Sequence, residues 1–121
     1  VRDRAEQAED GTVCARQVVL DAGMTDLIRP ALYGARHPVV ALERQGAAVP
    51  TAVHGPICES TDSFGAHEIP ETIARGDLVA ILGAGAYGDA MWSPYNSRPR
   101  AARVSLDGDG SLRLERPRGA A

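Results

Sequence analysis

The apolar residues of this chain fall in short runs cut by Gly, Pro and Asp, and no long stretch carries them at helical spacing. ARQVVLD (residues 15–21), PVVALE (38–43), PTAVH (50–54) and DLVAIL (77–82) each read as a strand, with QGA (45–47) as a turn signal between the second and third. RVSLD (103–107) and SLRLE (111–115) bracket DGDG, a hairpin signal because Asp-Gly pairs accept the backbone angles of tight turns. Five or six short strands with only brief helices predict an all-β barrel or sandwich, since a βαβ fold needs long amphipathic helices to cover its sheet. The nearly unbroken apolar run of DLVAIL predicts a central, buried strand.

Two segments stand apart from the strands. In DAGMTDLIRPALYG (21–34), Gly23 permits a turn, Thr25 or Asp26 can cap, and Leu27, Ile28, Ala31 and Leu32 supply an apolar side. Pro30 lacks a donor and interrupts a helix. A two-step helical turn is therefore expected, with Arg29 and Tyr33 four residues apart on one face. GAGAYGDAMW (83–92) is built of small residues around Tyr87 and is expected to hold a short helix through Ala90. Residues 1–14 are mostly polar and read as a lead-in or linker, residues 15–116 as the domain, and residues 117–121 as a frayed tail.

The length of 121 residues suits one domain with a real core. A net charge of −3 gives no support to a nucleic-acid or polybasic membrane footprint. Cys14 and Cys58 read as free thiols of a reducing compartment rather than a disulfide scaffold. No apolar run is long enough for a membrane span, and the charged N-terminal stretch does not read as a signal peptide, so a cytoplasmic protein is expected. All 13 basic residues are arginine. Without lysine, the chain by itself cannot form a lysine Schiff base with an aldehyde cofactor or carbonyl substrate.

Several residues are candidates for chemistry. Cys58 and Glu59 lie side by side in GPICES (55–60), behind a Gly-Pro pair that fixes the approach of the chain. They read either as a buried cysteine beside a solvated acid or as a thiol and carboxylate presented together. His54 and Asp62 lie near enough for a Cys-His nucleophile, but no oxyanion-hole pattern accompanies them. His37 reads as a packed or capping histidine, and histidines at 37, 54 and 67 do not form a metal motif. Arg29 with Tyr33 offers a guanidinium fork and a phenol for a carboxylate, or a surface arginine over a ring. Tyr87 reads equally as a surface for a flat ligand and as core. In SPYNSRPR (93–100), a loop ordered through Asn96 and Ser97 is expected. No Walker loop, dinucleotide fingerprint or zinc cluster occurs.

Taken in order, LDAGMTDLIRPALYGARHP, GPICES, GDLVAILGAGAYG and YNSRPR resemble the C-terminal part of the diaminopimelate decarboxylases, within the alanine-racemase-like (fold type III) pyridoxal-phosphate decarboxylases. The resemblance covers roughly residues 18–106. It implies a C-terminal β-barrel or sandwich domain of a two-domain enzyme whose (β/α)8 barrel, with the Schiff-base lysine, is absent from this chain. It implies that the full-length enzyme converts meso-2,6-diaminopimelate to L-lysine and CO2 with pyridoxal 5'-phosphate, as a homodimer with shared active sites, and that this chain alone binds no cofactor and is inactive. Cys58 would be the catalytic proton donor, Glu59 would contact the distal amino group, Arg29 and Tyr33 the distal carboxylate, and Tyr87 the substrate and cofactor. The chain departs from the family pattern at Asp26, Arg36, Thr61 and Ser93-Pro94. Those departures leave room for decarboxylases of lysine or ornithine, carboxynorspermidine or a natural-product substrate. A stand-alone, non-catalytic β-domain that binds a partner is the other alternative.

Overall fold

The computed structural model describes residue 1, residues 3–9 and residues 12–119, with side chains described at Val1 and from Arg16 onward. Its elements are β1 (Asp3–Glu9), β2 (Thr12–Val19), α1 (Arg29–Tyr33), β3 (Val39–Ala41), β4 (Ala48–His54), β5 (Ser63–Pro70), β6 (Val79–Ile81), a 3-10 turn (Tyr95–Ser97), β7 (Arg103–Leu106) and β8 (Leu112–Arg116). The all-β expectation holds: among the described residues the one α-helix has 5 residues. Arg2, Asp10 and Gly11 of the expected lead-in, the side chain of Cys14, and Ala120 and Ala121 of the expected tail lie outside the described residues. Residues 3–9, expected as part of the lead-in, form β1 and pair with β2.

The main sheet has four strands in the order β1-β2-β4-β5. Its pairs are antiparallel except β2 with β4, which run parallel, so the chain between them crosses over through α1 and β3. β3 pairs with β6, and β7 with β8. Val18, Leu20, Val53, Phe64 and Ile69 from the main sheet meet Leu27, Val39 and Ile73 in one core, with Ala41, Val79 and Ile81 packed against it. The four-stranded sheet and the β3–β6 pair thus share one core as the layers of a small sandwich.

β5 escapes a sequence reading for a physical reason. The pairing shifts between Val53–Gly65 and His54–Ser63, so one extra residue, Phe64, is inserted into β5. Gly65 takes φ 84° there, in the left-handed region that glycine occupies at no steric cost. Phe64, His67 and Ile69 are buried, a pattern that strict alternation does not produce. DLVAIL is corrected in turn: among the described residues β6 pairs with β3 alone, at a sheet edge, and Leu78 and Leu82 are 56% and 45% exposed. An apolar run records that water is unfavourable, and it does not say that the same chain supplies the cover.

The two-step helical turn is present. Asp26 and Leu27 donate their backbone N–H groups to the Gly23 carbonyl at 2.9 and 3.0 Å before α1 begins. Pro30 sits in the first turn of α1, where its missing donor costs no helical bond. Gly34, at φ 66°, closes the helix by donating to Pro30 O at 3.0 Å. No side chain caps α1: Asp26 Oδ2 instead accepts from Gly23 N at 3.1 Å. Residues 83–92 form successive turns rather than the expected short helix, with Gly88 N bonded to Ala84 O at 3.2 Å and Met91 N to Tyr87 O at 2.9 Å. The DGDG hairpin joins β7 and β8 as expected, with Gly110 at φ 85°.

Candidate functional site

GPICES is the connection from β4 to β5, and a buried carboxylate holds it. Asp62 is 2% exposed. Its Oδ2 accepts from Ile57 N at 2.6 Å and its Oδ1 from Met24 N at 2.6 Å. Its carbonyl accepts from Gly55 N at 2.9 Å, closing the base of the loop. Glycine is required at two surrounding positions by space. A Cβ on Gly55 would lie 2.2 Å from Asp62 Oδ1, and one on Gly23 would lie 2.7 Å from the same atom and 2.8 Å from Pro56 Cδ. Asp62 therefore fastens the loop to the segment before α1. Sequence reasoning set it with His54 near a Cys-His nucleophile and missed this role, because its bond to Met24 N joins residues 38 positions apart.

Beyond that base the loop turns tightly. Glu59 N donates to Ile57 O at 2.8 Å and Asp62 N to Glu59 O at 3.0 Å. Ile57 anchors inward at 7% exposure, whereas Cys58 and Glu59 face solvent. The thiol of Cys58 is free and exposed, which removes the buried-cysteine reading. Glu59 Oε1 accepts from Tyr95 Oη at 2.6 Å. That bond, the Glu59 charge, burial and the neighbouring Cys58 push the Tyr95 phenol above its usual range.

A second group forms around α1. The Arg29 guanidinium lies 5.7 Å from the centre of the Tyr87 ring, a cation–π contact. Tyr33 stands one helical turn after Arg29 and is exposed, as is Tyr87. The contact that the structure records for Arg29 is thus with Tyr87. Position 88 beside it has no room for a side chain, because a Cβ on Gly88 would meet Ala84 O at 2.6 Å. The structure does not bring Tyr87 into the core.

The remaining candidates are structural. His37 is buried with Nδ1 3.2 Å from Leu82 O, and His67 is buried with Nε2 2.8 Å from Phe64 O. His54 sits at the β4 side of the bulge, and its carbonyl accepts from Leu20 N at 2.8 Å. No three His, Cys, Asp or Glu side chains are grouped as metal ligands among the described residues. The SPYNSRPR loop is ordered through Ser97, whose N donates to Pro94 O at 2.9 Å, and also through Ser93 and Arg98. Ser93 Oγ accepts from Tyr95 N at 3.2 Å, and Arg98 donates to Asp21 O. Asn96 and Ser97 both stand at φ 55°.

Asp89, beyond Tyr87, gathers three arginines. Arg116 reaches its carboxylate at 2.5 and 3.0 Å, Arg100 at 3.1 Å and Arg103 at 3.4 Å. The Arg116 hydrogen bonds, helped by the charge of Arg100, hold the Asp89 carboxyl well below the usual range, at about 2. Arg100 also lies 5.2 Å over the Trp92 ring. This cluster ties the β7–β8 hairpin to the turns that carry Tyr87. Among the described residues no helix is long and apolar enough to cross a membrane.

Residues 1–85 match the sequence profile described as pyridoxal-dependent decarboxylase, C-terminal sheet domain. Diaminopimelate decarboxylase of Aquifex aeolicus is 45% identical over 102 residues, a match covering 84% of this chain and 24% of that protein. A crystal structure of diaminopimelate decarboxylase superposes with a TM-score of 0.87 at 36% identity, over 99% of this chain and 30% of the other. The M. jannaschii diaminopimelate decarboxylase in co-complex with L-lysine gives 0.83 at 33% identity, over 98% and 26%. This chain thus spans about a quarter of the length of the curated relatives it matches. By this profile match and these relatives, the chain belongs to the C-terminal sheet domains of the pyridoxal-dependent decarboxylases.

Proposed function

We propose that this chain is the C-terminal domain of a diaminopimelate decarboxylase, which converts meso-2,6-diaminopimelate to L-lysine and CO2. The observation that carries the reading is the exposed Cys58–Glu59 pair on a loop whose base is locked by the buried Asp62. Such a loop holds a thiol and a carboxylate at fixed places while leaving both open to another surface. The relative in co-complex with L-lysine supports a lysine-like product.

The residues present suit part of a pyridoxal 5'-phosphate site. Tyr87 is 57% exposed, and its ring is available to a flat ring beside Arg29. The covalent anchor is not here, because the chain has no lysine. We assign that lysine to a (β/α)8 barrel domain, so the 121-residue chain alone does not decarboxylate. Exposed Leu32, Leu42, Leu78 and Leu82 support a docking face for such a partner domain.

When bound, the cofactor supplies the electron sink for the pair left as CO2 departs. Each side chain then has a definite task. The Cys58 thiol passes its proton to the carbon that lost CO2, and the resulting thiolate recovers a proton from solvent. Glu59 pairs with the ammonium at the far end of the substrate. The Arg29 fork and the Tyr33 phenol hold the distal carboxylate, and Tyr87 lies against the cofactor ring. The Cys58–Glu59 group and the Arg29–Tyr33–Tyr87 group serve different active sites of a cytoplasmic homodimer, each site taking one group from each subunit.

The test uses the full-length enzyme that carries this domain. CO2 release is expected from meso-2,6-diaminopimelate in preference to L-lysine or L-ornithine, and Cys58→Ala should lower kcat by about 10²–10⁴-fold. Preferred turnover of L-lysine or L-ornithine, or a wild-type kcat in Cys58→Ala, would overturn the assignment.

A further inference from the structure

We infer that Tyr95 is a positioning residue for the Cys58–Glu59 loop, its phenol holding the Glu59 carboxylate where the distal ammonium of the substrate must bind. The inference rests on the role proposed above for Glu59. It starts from a 2.6 Å bond between Tyr95 Oη and Glu59 Oε1, formed across 36 residues of chain. One oxygen of the carboxylate is thereby directed, and the group retains lone pairs for a cation.

The backbone around Tyr95 is unusual. Asn96 and Ser97 both adopt φ 55°, consecutive left-handed residues in a segment without glycine. Such conformations persist where the surroundings over-determine them, and they gather at functional sites. Here the constraints are visible at both ends. Ser93 N donates to Thr25 O at 3.1 Å, and Arg98 donates to Asp21 O. Ser97 N donates to Pro94 O at 2.9 Å and closes the turn. The segment to which both ends are bolted, residues 21–25, is the one whose Met24 N binds Asp62.

Three pieces of chain therefore form one frame. Asp62 fixes the loop base to residues 23–24, those residues fix the turn that carries Tyr95, and the Tyr95–Glu59 bond closes the circuit at the loop tip. Without the phenol, the base remains fastened while the Glu59 side chain regains its rotamers. Loss of Tyr95 should therefore weaken recognition of the substrate's far end more than it slows proton delivery by Cys58. Tyr95→Phe is the suitable variant, since it removes one oxygen and keeps the ring.

Two measurements test this. In the 121-residue chain, Tyr33, Tyr87 and Tyr95 are the only phenols, and their titration can be followed by NMR of ring-labelled tyrosine. Tyr95, identified by the signal lost in Tyr95→Phe, should titrate at higher pH than in Glu59→Gln. An unchanged midpoint in Glu59→Gln would overturn the contact. In the full-length enzyme, Tyr95→Phe should raise KM for meso-2,6-diaminopimelate roughly tenfold, the scale of one hydrogen bond to a charged group, with a smaller change in kcat. Adding it to Glu59→Gln should raise KM little further. An unchanged KM, or fully additive effects, would refute the positioning role. If the wild-type enzyme does not turn over this substrate, the function assigned to the site falls, while the titration still decides whether Tyr95 holds Glu59.

Discussion

Replacing Gly55 by alanine places a methyl group where the Asp62 carboxylate now lies. The added Cβ would stand 2.2, 2.3 and 2.5 Å from Asp62 Oδ1, Oδ2 and Cγ. None of these is a possible contact, and the carboxylate is 2% exposed with little room to retreat. Asp62 must therefore give up its bonds from Met24 N and Ile57 N, each 2.6 Å long. A hydrogen bond to a charged group contributes about 1.5–3 kcal/mol net, so losing both costs roughly 3–6 kcal/mol. That is a large share of the ~5–15 kcal/mol by which domains are stable. Urea unfolding of the 121-residue chain measures the loss. A double-mutant cycle isolates its cause: once Asp62→Ala has removed the bonds, Gly55→Ala should cost little more. A loss below about 1 kcal/mol for Gly55→Ala would refute the reasoning, since that is less than one such bond. So would full additivity with Asp62→Ala.

Two further outcomes follow from the same structure. Asp89 has its carboxyl pulled down to about 2 by Arg116 and Arg100. A depressed carboxyl contributes stability that is present above its unfolded value near pH 4 and disappears as pH falls toward 2. Urea stability measured from pH 5 to pH 2 should therefore fall more steeply in the wild type than in Asp89→Asn, and equal slopes would contradict the role of the cluster. Arg29→Lys in the full-length enzyme should raise KM for a substrate with a distal carboxylate by about tenfold, because an ammonium cannot reproduce the two-pronged geometry of guanidinium. A KM within twofold of wild type would remove Arg29 from substrate recognition.

How much of this was legible in the chain follows from the range of each interaction. The β7–β8 hairpin and the interrupted helical segment at α1 are local, and their signals lie within a few residues: DGDG, Pro30, Gly34. β5 is local as well, but its inserted residue at Phe64 breaks the alternation on which a strand is recognised. DLVAIL is apolar enough for a central strand and yet forms an edge, because burial depends on what is packed against it. The site divides in the same way. Cys58 with Glu59, Arg29 with Tyr33, and Tyr87 were visible as residue types at suggestive spacing. Asp62 as the anchor, Tyr95 on Glu59 and Arg29 over Tyr87 were not, since no local pattern records them.

Sequence by itself determined the class of fold, through short apolar runs that can pair as strands but cannot cover a parallel sheet with helices. It also determined a chemical limit: a chain with no lysine cannot hold an aldehyde cofactor as a lysine Schiff base. Only the tertiary structure decided which side chains are presented and which are spent on holding them. The Asp62 and Tyr95 contacts join residues 38 and 36 positions apart. Such contacts exist only after β4 and β5 have paired around their bulge and the crossover has returned residues 21–25 to the loop, because hydrogen bonds act over about 3 Å whatever the separation along the chain.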